Sequence, residues 1–185
     1  EFPEASFEVG VAESNMVSMA VGLSKQGYIP VVDTFAQFGI TKGALPMFMS
    51  GLSQAPIIAM YSHTGFQDAA DGASHQAITY FSMMSAIPNV DVVCLTCADD
   101  AKALITQCVE NFAETRKKGE IPRSTVFFLG RETYPSSFVD GTEYKYGKAQ
   151  VLKDNTEDFK KSVVLMTCGS LVENALLAQE ELEQK

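Results

Sequence analysis

The sequence predicts an α/β protein, a three-layer α/β/α arrangement around a mainly parallel sheet. Two observations carry this. Apolar runs with the length of strands alternate along the chain with stretches of helical period. Those runs are apolar nearly throughout, as strands covered on both faces are, so helices should lie on both sides of the sheet. Right-handed crossovers then place the loop after each strand at one edge, the edge where open α/β sheets bind ligands.

The elements follow in order. Residues 6–11 read as a strand, and residues 13–26 as a helix with apolar positions at 16, 17, 20, 21 and 23. Gly27 is its stop signal. "YIPVVDT" (28–34) is a strand, residues 40–53 a helix, and "APIIAMYS" (55–62) a strand bounded by Pro56. "HTGFQDAADGAS" is a long polar loop leading to a helix start at Ser74 and a short helix over 75–85. "NVDVVCLT" is a strand, 98–118 a helix ending in "RKKG", and "STVFFLG" (124–130) another strand. Composition then shifts: residues 133–161 are polar, with Pro135, Gly141, Gly147 and "KDNTEDFKK", and predict a linker with a short hairpin. "SVVLMTCGS" predicts a new strand and 171–185 a new helix. One strand and one helix cannot make a core, so these should open a second domain. The chain starts at Glu and stops in mid-helix, and we expect a piece of a longer protein.

Bulk properties narrow the function. The 185 residues carry a net charge of −9 and are 46% hydrophobic, which is globular composition. A nucleic-acid or anionic-membrane surface is not expected. No apolar run reaches the roughly 18 residues of a spanning helix. Four cysteines without a disulfide framework suggest a reducing, cytoplasmic setting. Cys94 and Cys97 form a CxxC inside a strand-like run, with no second pair at zinc spacing, so a structural role is expected over a redox or metal one.

Four places could carry chemistry. Glu13 is the one carboxylate within "VGVAESNMVSMAVGL". It is either a first-turn acid on a helix dipole, worth about 0.3–1 kcal/mol, or a buried carboxylate held for a ligand that shares its proton or carries charge. Phe35 and Phe38 in "DTFAQFG" are either core aromatics or a stacking wall for a flat ring. The only two histidines, His63 and His75, flank one loop with Asp71 between them. Their spacing is poor for a metal and better for a polar pocket taking hydroxyls or phosphate. Arg131 follows "STVFFLG" and could pair with a surface acid such as Glu132 or grip an anion in bidentate fashion. Glu13, Thr34–Phe35, His63 and Arg131 each follow a predicted strand, so they should gather at one sheet edge. No Walker loop, GxGxxG, GxSxG or HExxH is present.

Five ordered blocks, "FEVGVAESNMVSMAVGL", "VVDTFAQF", "SHTGFQDAADGASHQ", "AIPNVDVVCLTCADD" and "STVFFLGRE", together resemble the pyrimidine-binding domain of transketolases. The resemblance implies the thiamine-diphosphate-binding fold over residues 1–138, without its N-terminal part. It implies a linker over 139–161 and the start of the transketolase C-terminal domain over 162–185. It implies that Glu13 bonds N1' of the aminopyrimidine of thiamine diphosphate and favours the imino tautomer, whose N4' removes the thiazolium C2 proton. By the same resemblance Phe35 and Phe38 stack on the pyrimidine, His63 and Arg131 hold the sugar phosphate, and Asp71 and His75 bind the donor's hydroxyls, with His75 also catalytic. Ala70 stands where the family usually has Glu, Ala73 where Pro is common, and Thr41 where many members have a third aromatic.

The implied activity is transfer of a two-carbon ketol unit from a ketose phosphate to an aldose phosphate, in the pentose phosphate pathway. The expected cofactors are thiamine diphosphate and Mg²⁺, the metal held by a separate diphosphate-binding domain of the same or a partner chain. The expected assembly is a homodimer with neither nucleic acid nor membrane as partner, and this chain alone should be inactive with half a site. Other readings are 1-deoxy-D-xylulose-5-phosphate synthase, a 2-oxoacid dehydrogenase β subunit, and a non-catalytic module that keeps the fold. "SH" at 62–63 favours transketolase over the synthase, and the "DGASHQ" loop argues against the dehydrogenase.

Overall fold

A computed structural model describes residues 2–158 and 160–184. Helix α1 spans Glu13–Lys25, followed by β1 (Val31–Phe35), α2 (Ala36–Lys42), α3 (Ala44–Leu52) and β2 (Ile58–Ser62). Then come α4 (Tyr80–Ser85), β3 (Val90–Cys94), α5 (Ala98–Lys117), β4 (Ser124–Phe128) and α6 (Leu171–Glu183). The four strands form one parallel sheet in the order β1-β2-β4-β3.

The central strands β2 and β4 are covered on both faces, whereas the edge strand β1 leaves Val31 and Asp33 exposed on one. Ala59, Tyr61, Val126 and Phe128 point into a core shared with α1, α2, α3 and α4. Ile58, Met60 and Phe127 point the other way, against Leu104, Cys108 and Phe112 of α5. The period of two along each strand thus divides the molecule into the expected three layers. The chain passes from β2 over to β3 at the far edge and returns through α5 to β4 between them. That reversal makes the crevice between β2 and β4 a topological switch point.

Helix α5 shows how local chemistry sets a boundary. The Cys97 sulfur accepts the Asp100 N–H at 3.5 Å, while the Asp100 carboxylate accepts the Cys97 N–H at 3.2 Å. This reciprocal cap uses one half of the CxxC, and Cys94 lies in β3. Asp99 and Asp100 sit in the first turn, and Arg116 and Lys117 in the last, each matching the helix dipole. Arg116 also donates to the Ser24 and Tyr28 carbonyls, tying α5 to the end of α1.

Five expectations are corrected. Residues 6–11 are not a strand: no strand runs beside them among the described residues, Gly10 sits at φ +68° and Val11 is 97% exposed. The helix expected over 40–53 is two helices, starting earlier and breaking at Gly43. Pro46 explains the break. It has no N–H for the Lys42 carbonyl, and its ring would clash with that carbonyl in a continuous helix. The freed carbonyl accepts the Ser14 hydroxyl at 2.6 Å instead, which binds the first turn of α1 to the end of α2. The helix expected over 75–85 begins only at Tyr80, because turns and a bridge from Ala77 to Thr64 occupy the residues before it. No hairpin forms among the described residues of 133–161. Their polar run carries Tyr144 and Tyr146, which lie on α5 and β4, with Gln107 bonding both main chains and Thr125 the Tyr146 hydroxyl. Residues 162–168 are exposed and unpaired rather than a strand. Apolar character alone did not supply them with a neighbour.

Candidate functional site

The loops that leave β1, β2 and β4 meet at the carboxyl edge of the sheet. β1 ends at Phe35, which is also the residue before α2, so its ring is fixed by both elements. His63 follows β2 directly with φ +62°, a left-handed conformation that few non-glycine residues adopt. That turn lays its imidazole on Phe35, with centroids 3.9 Å apart and planes 29° from parallel. The His63 Nδ1 is 2.8 Å from the Ser62 hydroxyl.

The long loop after His63 returns to the same place. His75 meets Phe38 edge-on at 4.9 Å and Phe35 at 6.2 Å. Its Nδ1 lies 3.0 Å from the Ser74 hydroxyl. Four rings from three elements, Phe35, Phe38, His63 and His75, therefore form one cluster, and all four are partly exposed. A core aromatic pair would be closed over. This one is an open wall of π faces and ring nitrogens, able to take a flat or hydroxylated ligand.

A second set of contacts fixes the loop to the turn after β4. The Thr64 N–H donates to the Leu129 carbonyl at 3.1 Å, and the Arg131 N–H donates to Gln67 Oε1 at 2.9 Å. The Tyr134 hydroxyl accepts the Gly130 N–H, and a Cβ on Gly130 would press on Gln67 Oε1 and on that hydroxyl, so a larger residue there would have to displace both side chains. The Arg131 guanidinium pairs with Asp68, whose side chain is completely buried while that of Arg131 stays 37% exposed. The second Asp68 carboxylate oxygen is buried with no donor among the described residues.

The predicted residues thus divide. Phe35, Phe38, His63 and His75 are brought together. Arg131 reaches the same edge, and its partner is Asp68, not Glu132. Asp71 is exposed in the turn that closes the loop. Glu13 opens α1 and is partly buried, with no hydrogen bond or ion pair of its side chain among the described residues. The Ser14 contact holds it near the far end of α2, a helix roughly 10 Å long, whereas Phe35 stands at the near end. Asp68, Gln67 and Gly130 were missed by sequence reasoning. Gln67 and Asp68 meet Gly130 and Arg131 between the loops that follow β2 and β4, strands that are neighbours in space but not in sequence, so no local pattern marks them.

Residues 1–135 match the family described as "Transketolase, pyrimidine binding domain", well over half of the chain. The chain belongs to the transketolase pyrimidine-binding-domain family.

The relatives of this pyrimidine-domain chain fall on two sides. It is 29% identical over its whole length to a protein of Methanocaldococcus jannaschii named "Putative transketolase C-terminal section", of which it spans 54%. It is 25% identical, over 98% of its length, to a 1-deoxy-D-xylulose-5-phosphate synthase of Clostridium acetobutylicum, of which it spans 27%. Among solved structures, 95% of the chain superposes on a transketolase from Pichia stipitis, crystallised with sedoheptulose 7-phosphate, with a TM-score of 0.76 at 24% identity. It covers 24% of that chain, and this likeness establishes the shared fold.

Proposed function

We propose that this chain supplies the pyrimidine-side half of a thiamine-diphosphate site in a transketolase. The enzyme moves a two-carbon ketol unit from a ketose phosphate to an aldose phosphate and works with a diphosphate-binding domain that holds Mg²⁺. The observation that carries the reading is the open cluster of Phe35, Phe38, His63 and His75 at the sheet's carboxyl edge.

The residues fit the cofactor's pyrimidine end. Glu13 is a partly buried carboxylate with no partner among the described residues, and a ligand nitrogen would give it one. Aromatic side chains left open to solvent fit the same account. Glu13 would hold a proton at N1' of the aminopyrimidine, and Phe35 and Phe38 would give its ring an apolar face. Thiamine diphosphate supplies the nucleophilic carbon and the electron sink that break the bond beside the donor's carbonyl. His63 and His75 would donate to the donor's oxygens, Asp71 would accept from its hydroxyls, and the four-ring cluster would keep water from the reacting carbon. With the diphosphate-binding half elsewhere, the chain alone would not turn over.

A second reading has support in the sequence relatives, several of which are 1-deoxy-D-xylulose-5-phosphate synthases. The complete enzyme, given thiamine diphosphate, Mg²⁺, xylulose 5-phosphate and ribose 5-phosphate, should form sedoheptulose 7-phosphate, identified by mass. No such product would end the transketolase reading. Formation of 1-deoxyxylulose 5-phosphate from pyruvate and glyceraldehyde 3-phosphate would replace it with the second.

A further inference from the structure

Arg131 is the one cation that the described residues set at the proposed donor pocket, and it is not a free cation. Its guanidinium is bonded to Asp68, and Asp68 is wholly buried. The contact is not a chance meeting of two surface chains. The Arg131 main chain is fastened to Gln67, the residue before Asp68, and the same turn is locked through Gly130 and Tyr134. Both partners are therefore placed by the backbone. One Asp68 oxygen takes the guanidinium, and the other is buried without any donor among the described residues.

An arginine selects phosphate by full positive charge and by two N–H groups on one edge of its planar fork. Here one terminal nitrogen is committed, and a carboxylate stands beside the fork. A phosphate on the remaining edge would meet a pair of net charge zero with a negative oxygen behind it. In a partly buried site that repulsion is poorly screened.

We propose that Asp68 is a specificity-determining residue: by neutralising Arg131 it weakens that arginine's hold on a donor phosphate, and so narrows the preference for ketose phosphates over unphosphorylated hydroxyketones as ketol donors. Asp68 acts here through Arg131 and is a positioning residue. The inference rests on the reading of this edge as a sugar-binding site, and it names the donor class that the site admits.

The test has an arm that needs no catalysis. Inorganic phosphate is titrated calorimetrically into the complete enzyme, its Asp68→Asn variant, and a variant carrying both Asp68→Asn and Arg131→Leu. Asp68→Asn should bind phosphate on the order of 10-fold more tightly than the wild type, and the added Arg131→Leu should remove that gain. Equal or weaker binding by Asp68→Asn would overturn the proposal and make Asp68 an orienting partner for an arginine that reads phosphate. Asp68→Ser serves in the same titration if the Asn variant does not fold.

In the second arm kcat/KM is compared for xylulose 5-phosphate and xylulose. The ratio should rise at least about 10-fold in Asp68→Asn over the wild type. An unchanged or lower ratio in Asp68→Asn, with ketol transfer intact, would also overturn the proposal. Absence of ketol transfer from both donors would sink the proposed function, while the phosphate titration would still decide the role of Asp68.

Discussion

His63 stacks on Phe35 at 3.9 Å between ring centroids, and it does so from a backbone at φ +62°. The two facts belong together. A residue in the left-handed region costs about 1 kcal/mol or more, and an aromatic stack returns about 0.5–1.5 kcal/mol. The strain is held where it aims an imidazole, and not a generic side chain, across the carboxyl end of β1.

His63→Gly separates these effects. Glycine adopts the same backbone freely but has no ring. Stability should stay within about 1 kcal/mol of the wild type, because relief of strain offsets the lost stack. Turnover by the complete enzyme should fall by about 10²-fold. A large fall in melting temperature together with unchanged turnover would make His63 a structural residue only.

Two glycines in helices should respond in opposite directions. A Cβ on Gly39 in α2 would lie 2.6 Å from the Tyr61 ring, which is fully buried, whereas one on Gly22 in α1 would meet nothing within 4 Å. Alanine gains up to about 1 kcal/mol of helix propensity at either position. Overpacking of a core costs about 1–3 kcal/mol and applies to Gly39 alone. Denaturant unfolding should find Gly22→Ala more stable and Gly39→Ala less stable than the wild type. A stabilised Gly39→Ala would show that α2 does not press on Tyr61 as described.

The thiols should differ in reactivity with pH. The Cys168 thiolate is stabilised by a hydrogen bond from the Cys94 thiol, which brings Cys168 down to about 7, while the same contact and burial push Cys94 up. The thiolate is the nucleophile. Alkylation of Cys168 by iodoacetamide, followed by mass spectrometry, should therefore rise with pH through a midpoint near 7. Cys94, and Cys108 with its thiol pushed up by burial, should label only at higher pH. A Cys168 midpoint at the usual thiol value would mean that the Cys94–Cys168 contact does not form.

The sequence carried the layers and most of the ring cluster, for physical reasons. Largely apolar strands announce a sheet covered on both sides, and Phe35 and His63 adjoin strand ends, where parallel topology gathers loops. What it did not carry depends on distant partners. Residues 6–11 and 162–168 have the composition of strands, but a strand needs a neighbour, and that is not a local property. Pro46 was visible, yet its effect is felt at the Lys42 carbonyl and is completed by Ser14, 28 residues away. Asp68 sits 63 residues from Arg131, within a loop whose other acid, Asp71, drew the attention.

Glu13 is the residue on which the functional account turns, and removal of the thiazolium C2 proton is the step it is proposed to drive. In the complete enzyme loaded with thiamine diphosphate and Mg²⁺, the rate at which that proton exchanges for deuterium can be followed by quenched-flow proton NMR. The account predicts exchange on the order of 10² or more times slower in Glu13→Gln than in the wild type, with the cofactor bound in both. Equal exchange rates in the two proteins would contradict it.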